Sequence, residues 1–167
     1  ESEVQKIVGV AGPNVGSSSF NSNSAIFNIY ENSDEVLGVK FERFDNDVYQ
    51  GITCEAIGAD SDLFDTPACG ASTGTYQSSF AILTTPNFEQ KDVYRFKIST
   101  NSIAFYDVEG GLNKEFDVIV NILDVNDAPS IDSSNSFIAD ENQTDIGSVI
   151  ASDEDGDTLV YSVISDD

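Results

Sequence analysis

The amino-acid sequence predicts an all-β sandwich. Three observations carry that prediction: short runs in which apolar and polar residues alternate, clusters of turn-forming residues between them, and no sustained apolar stripe with helical period. Alternation gives each strand one apolar face, and such faces become stable only when a second sheet covers them. Residues 1–23, rich in Gly, Ser and Asn after Val15, read as a lead-in strand or linker. Strands then follow at Ala25 to Tyr30, Val36 to Phe44, Gly51 to Ile57, Thr75 to Leu83, Val93 to Ser99 and Phe116 to Leu123. The last is the cleanest, with Phe116, Val118, Val120 and Ile122 on one face and Asp117 and Asn121 on the other. Asn32-Ser33-Asp34, Asp45-Asn46-Asp47, Thr84-Thr85-Pro86-Asn87 and Glu109-Gly110-Gly111 supply the turns.

Composition narrows the partners. Thirty acidic residues against seven basic ones leave a formal charge of −23, which repels phosphate backbones and anionic membrane surfaces and argues against nucleic acid as a partner. Such acidity also suits a disordered chain, but 40% apolar residues, with eleven Phe and six Tyr, provide material for a core. No stretch approaches the roughly 20 apolar residues that span a bilayer, so direct membrane insertion is not expected. Glu1 to Val10 lacks the basic and apolar regions of a signal peptide, and the chain reads as an excised, soluble segment.

Clustered carboxylates that fold despite repulsion call for cations, and calcium is the hard cation suited to oxygen ligands outside cells. Cys54 and Cys69 read as a disulfide closing a small surface loop, worth about 3 kcal/mol on the chain-entropy account; the alternative is two separate buried thiols. With no histidine there is no Cys/His zinc set and no Ser-His or Cys-His catalytic pair. The chain is therefore not expected to be an enzyme.

A break falls at Asp124 to Ser130, where Pro129 cannot continue a ladder, and beyond Lys114 the chain contains no Lys or Arg. Phe137-Ile138-Ala139-Asp140-Glu141-Asn142 then repeats the pattern of Phe27-Asn28-Ile29-Tyr30-Glu31-Asn32. Each Glu-Asn pair is followed by a glycine, Gly38 or Gly147, and then by an Asp-x-Asp, Asp45 and Asp47 or Asp153 and Asp155. Glu31 and Glu141 are 110 residues apart, the length of a whole sandwich domain. The expected organisation is a lead-in over 1–23, a complete domain over 24–129 and the opening strands of a second repeat over 130–167.

Glu31-Asn32, Asp45-x-Asp47, the Asp62-Leu63-Phe64 turn, Pro86-Asn87-Phe88-Glu89 before a Tyr-containing strand, and the terminal Asp124-Val125-Asn126-Asp127-Ala128-Pro129 resemble the cadherin superfamily. Specifically, they resemble the cadherin-like repeats of large bacterial surface and secreted proteins. It implies a Greek-key sandwich of about seven strands, cadherin- or immunoglobulin-like, in a tandem extracellular array whose calcium ions sit between consecutive domains. On that resemblance Glu31 and Glu89 of the first repeat, Asp124, Asn126 and Asp127 of the linker, and Asp153 and Asp155 of the second repeat are the calcium ligands. Asp45 and Asp47 face a junction upstream, and either Asn101 or Asp107 takes the family's later calcium position. Two positions depart from animal cadherins: Asn87 stands where they carry an acid, and Ala128 where they place a second Asn. The implied role is a calcium-stiffened structural or adhesive module, its partners being neighbouring repeats and a cell-surface protein or polysaccharide.

Other readings compete. Acidic loop residues are commonly just solvated. Asp153-Glu154-Asp155-Gly156-Asp157 imitates an EF-hand loop but lacks its closing Glu and flanking helices. A calcium-dependent carbohydrate-binding module would use Phe41, Phe44, Tyr76, Phe80, Tyr94, Phe96, Phe105 and Tyr106 as a sugar platform, although aromatic residues in strands more often build the core. Carboxylate pairs hydrolyse glycosides when they flank a cleft, whereas these lie by their motifs at a domain edge.

Overall fold

The computed structural model describes residues 6–10, 15–21, 23–34, 36–42, 52–65, 68–72, 75–102 and 114–164. Two compact units follow one another, Glu1–Asp124 and Val125–Asp167.

Among the described residues the first unit holds nine strands: β1 (Lys6–Val10), β2 (Val15–Phe20), β3 (Ser24–Tyr30), β4 (Val36–Glu42), β5 (Ile52–Ile57), β6 (Ala68–Ser72), β7 (Thr75–Ala81), β8 (Val93–Ser102) and β9 (Lys114–Leu123). They form a four-stranded sheet in the order β1-β4-β7-β6 and a five-stranded sheet in the order β2-β3-β9-β8-β5. All pairings are antiparallel except that of β3 with β9. Six of these strands match the runs read from the sequence to within a few residues. Within the region read as lead-in or linker, β1 pairs with β4 and β2 with β3, so the two strands enter opposite sheets.

One core joins the sheets. Ala25, Phe27 and Ile29 on β3, Leu37 and Val39 on β4, Phe80 on β7, Tyr94, Phe96 and Ile98 on β8, and the full alternating set Phe116, Val118, Val120 and Ile122 on β9 are all buried in it. Each large apolar side chain so enclosed contributes about 1.5–3 kcal/mol. Phe80 meets Phe27 and Phe96 edge-to-face at centroid distances of 5.9 and 5.3 Å, geometry favoured by the ring quadrupole. Phe80, Tyr94 and Phe96 are thus core residues and not a sugar platform, whereas Phe44, Phe105 and Tyr106 and the side chains of Phe41 and Tyr76 lie outside the described residues. The Asp62-Leu63-Phe64 turn is the end of a short 3-10 helix, Ser61–Leu63, after which Phe64 bridges to Ile82 and buries its ring against Phe96.

The second unit is mostly extended. Its two short strands, β10 (Ser130–Ile131) and β11 (Ala151–Ser152), pair antiparallel. Ile138, Val160, Val163 and Ile164 are exposed, as expected of a segment too short to enclose its own core.

Candidate metal centre

The parallel pairing of β3 with β9 creates the acidic end of the first unit. Tyr30 is in register with Leu123, so both strands stop at the same pole, and the next residues along the chain are Glu31 and Asp124. β8 runs antiparallel to β9, with Val93 opposite Asn121, so β8 begins, and the loop leading into it ends, at that pole as well. This loop carries Glu89.

Glu31 is held rather than merely displayed. It is 3% exposed, its backbone N–H donates to the Leu123 carbonyl at 3.1 Å, and its Oε2 accepts from the Phe88 N–H at 2.8 Å. Asn32, at a φ of 55°, turns the chain and donates its N–H to the Pro86 carbonyl at 2.9 Å. A buried carboxylate needs such donors, because leaving it unpaired costs several kcal/mol. The loop itself is braced by Asn87, whose Oδ1 accepts from the Gln90 N–H at 2.8 Å. Glu89 offers a carboxylate oxygen within 4.8 Å of one from Glu31, and likewise of one from Asp124. Two unit charges at that separation repel by about 1 kcal/mol in water and by roughly 3 kcal/mol at an effective dielectric of 20. A hard cation between them turns that cost into attraction, and a set of oxygens alone suits Ca2+ rather than a metal that prefers nitrogen or sulfur.

The sequence did not single out Asp60 as the residue that braces this loop. Asp60 is 9% exposed; its Oδ1 accepts from Lys91 Nζ and its Oδ2 from the Arg95 N–H at 2.7 Å. It thereby ties the end of the Glu89 loop to the start of β8. The one local signal was an Asp directly before the Ser61-Asp62-Leu63 turn, and the 31- and 35-residue separations hid its partners.

The second unit gathers its own oxygens. The β10–β11 pairing sets Ser130 opposite Ser152, which brings the linker alongside the turn after β11. There the Asp127 N–H donates to Asp155 Oδ2 at 2.6 Å, and Asn126 Nδ2 donates to the Asp127 carbonyl at 2.9 Å. Asp153 closes the turn: its carbonyl accepts from the Gly156 N–H at 3.2 Å and its Oδ1 from the Asp157 N–H at 3.1 Å. Gly156 sits at a φ of 76°, a left-handed conformation that glycine adopts more readily than residues with a side chain. Asp45, Asp47 and Asp107 lie outside the described residues, as do the side chains of Asn101 and Cys69.

These features define a β-sandwich module with acidic side chains gathered where its last strand ends. No protein-family model matches the chain, and no curated protein matches it. Among solved structures it is similar to the human desmocollin-1 ectodomain, with 12% identity, 66% of this chain and 21% of that one covered, and a TM-score of 0.47. It is also similar to the protocadherin gammaB4 extracellular domain, with 19% identity, coverage of 91% and 22%, and a TM-score of 0.42. Mouse cadherin-23 EC22-24 is a third, with 14% identity, coverage of 91% and 65%, and a TM-score of 0.34. All three are cadherin ectodomain structures, and the chain spans about a fifth of the length of the first two.

Proposed function

We propose that this chain is a calcium-binding structural and adhesive module of a larger extracellular or cell-surface protein, in which Ca2+ stiffens the linker around Asn126. The ligands in this reading are Glu31, Glu89 and Asp124 from the first unit and Asn126, Asp127, Asp153 and Asp155 from the second. The observation that carries it is the parallel β3–β9 register, which delivers Glu31 and Asp124 to one pole beside Glu89. The chain supplies a further constraint: three peptide units separate Asp124 from Asp127, so their Cα atoms lie within roughly 11 Å of each other. Side-chain oxygens from both units, with backbone carbonyls and water, fill the six to eight positions that Ca2+ takes. Without the ion the carboxylates repel and the linker flexes; with it, mutual attraction to one cation draws the units together.

In the same reading residues 24–129 form a complete repeat and 130–167 the opening of the next, and the partners are neighbouring repeats. Cys54 and Cys69 form a disulfide across the sandwich, a pairing supported by their places on β5 and β6, which lie against one another from opposite sheets. Both features suit an oxidising, calcium-rich exterior.

Thermal unfolding of the chain in millimolar calcium and in chelator tests the reading. At affinities of about 10⁻⁴ to 10⁻³ M, typical of extracellular calcium modules, ~10 mM calcium adds roughly 1.4–2.7 kcal/mol per ion and raises the Tm by several degrees. The Asp124→Asn, Asp127→Asn double variant is expected to lose most of that rise. Equal Tm values in calcium and chelator would remove the proposed role.

A further inference from the structure

Of all the asparagines in the chain, only Asn142 begins an Asn-x-Ser/Thr triplet, Asn142-Gln143-Thr144. We propose that Asn142 is an acceptor site for N-linked glycosylation. The inference rests on the extracellular placement argued above, because the modifying enzymes work along the secretory route.

The surroundings of Asn142 meet the requirements of an acceptor. Asn142, Gln143 and Thr144 are all exposed. The Gln143 N–H donates to the Asp140 carbonyl at 3.2 Å, closing a four-residue turn, and Gln143 Oε1 accepts the Asp140 N–H in return at 3.1 Å. Asn142 occupies the third position of that turn at a φ of 68°, a conformation that Asn tolerates better than other side-chain-bearing residues. Among the described residues its carboxamide has no hydrogen-bond partner, so Nδ2 is available for reaction. Gln143 carries the turn's polar contacts instead, its Nε2 donating to the Asp145 carbonyl at 2.7 Å.

The base of the loop is pinned as well. The Phe137 ring lies so close over Gly147 that a Cβ there would fall 2.4 Å from a ring carbon. With residues 137 and 147 drawn together, the segment between them projects Asn142 outward. The repeat-equivalent turn offers an internal contrast. Asn32 also has a positive φ, 55°, but is followed by Ser33-Asp34, and its N–H is bonded into the Pro86 loop.

The co-substrate is an oligosaccharide carried on a polyprenyl diphosphate. A bond forms between Asn142 Nδ2 and the anomeric carbon of the first sugar, the bond from that carbon to the diphosphate oxygen breaks, and the lipid diphosphate leaves. The amide proton passes to the transferase, and no oxidation or reduction occurs. A glycan here would shield neighbouring exposed apolar side chains, notably Ile138 at 94% exposure, and would bar this turn from any protein interface.

The test is secretion of the full chain from eukaryotic cells behind an added signal sequence, with a control Asn-x-Thr triplet in an appended tag. Intact mass and amidase digestion, which leaves Asp at position 142, report occupancy. The expected result is a glycan on Asn142 that is lost in Asn142→Gly, which tolerates the positive φ, and in Thr144→Ala, and kept in Thr144→Ser. Modification of the tag without modification of Asn142 would overturn the proposal. Calcium melting of the same samples separates this outcome from the linker reading. A glycosylated chain indifferent to calcium retires that reading alone, whereas a calcium-stabilised chain bare at Asn142 retires this site alone.

Discussion

At the scale of single residues, two carboxylates show how burial and partners set the role of an acid. Burial pushes the Asp60 pKa up, but the bonds from Lys91 and the Arg95 N–H, with the Lys91 charge, outweigh it and hold the group below its ordinary 3.8. A lowered folded-state pKa means that its stabilisation is present above the unfolded value and lost as pH falls through the folded one. Urea unfolding measured as a function of pH should therefore show stability falling below about pH 3.8, a fall that Asp60→Asn makes shallower. Near neutral pH, Asp60→Ala is expected to cost about 1–3 kcal/mol, because the Arg95 N–H is left unsatisfied. Under the proposed function, Glu31 separates structure from ion binding. Glu31→Gln keeps an acceptor for the Phe88 N–H but loses the charge, so melting in chelator should change little while the gain on adding calcium shrinks. Glu31→Ala should lower both, by about 1–3 kcal/mol without calcium.

At the scale of elements, the sandwich depends on the continuous apolar face of β9 and on Phe80 of β7 opposite it. Phe80 touches three aromatic rings, those of Phe27, Phe64 and Phe96, and its surroundings come from both sheets. Phe80→Ala leaves a cavity that neither sheet can collapse to fill, with an expected loss of about 3–5 kcal/mol in denaturant titration. Asp117, on the outward face of β9, is a contrasting case. It faces solvent with Lys97, which also bonds Glu115 at 2.8 Å, and exposed pairs of this kind contribute little. Asp117→Asn is accordingly expected to change stability by no more than about 0.5 kcal/mol.

For the whole molecule, charge is the governing quantity. At −23 the chain repels itself, and lengthening or shortening the reach of that repulsion must move its stability. Raising monovalent salt from about 0.01 to 0.15 M shortens the screening length from about 30 to 8 Å. In chelator, that change is expected to raise the Tm smoothly. Calcium at equal ionic strength should raise it further and in a saturable manner. Nuclear relaxation provides the complementary readout of linker stiffness: the two units should tumble separately in chelator and together in calcium.

Alternation along the chain was enough to identify six of the strands and the buried set Phe116, Val118, Val120 and Ile122, because a two-residue period admits only one apolar face. The resemblance to cadherin repeats, and not alternation, marked Glu31, Glu89 and Asp124 as candidates. What local pattern cannot encode is which strands become neighbours. The parallel β3–β9 pairing joins segments 93 residues apart, as in the bond from Asn121 to Asn28, and only that pairing puts Glu31 next to the end of β9. Asp60 was illegible for the same reason, since its Lys91 and Arg95 partners arrive from a loop and a strand 31 and 35 residues along the chain. Short-range periodicity thus determined the faces of the strands, and long-range packing of those faces into one core decided which carboxylates share a pole.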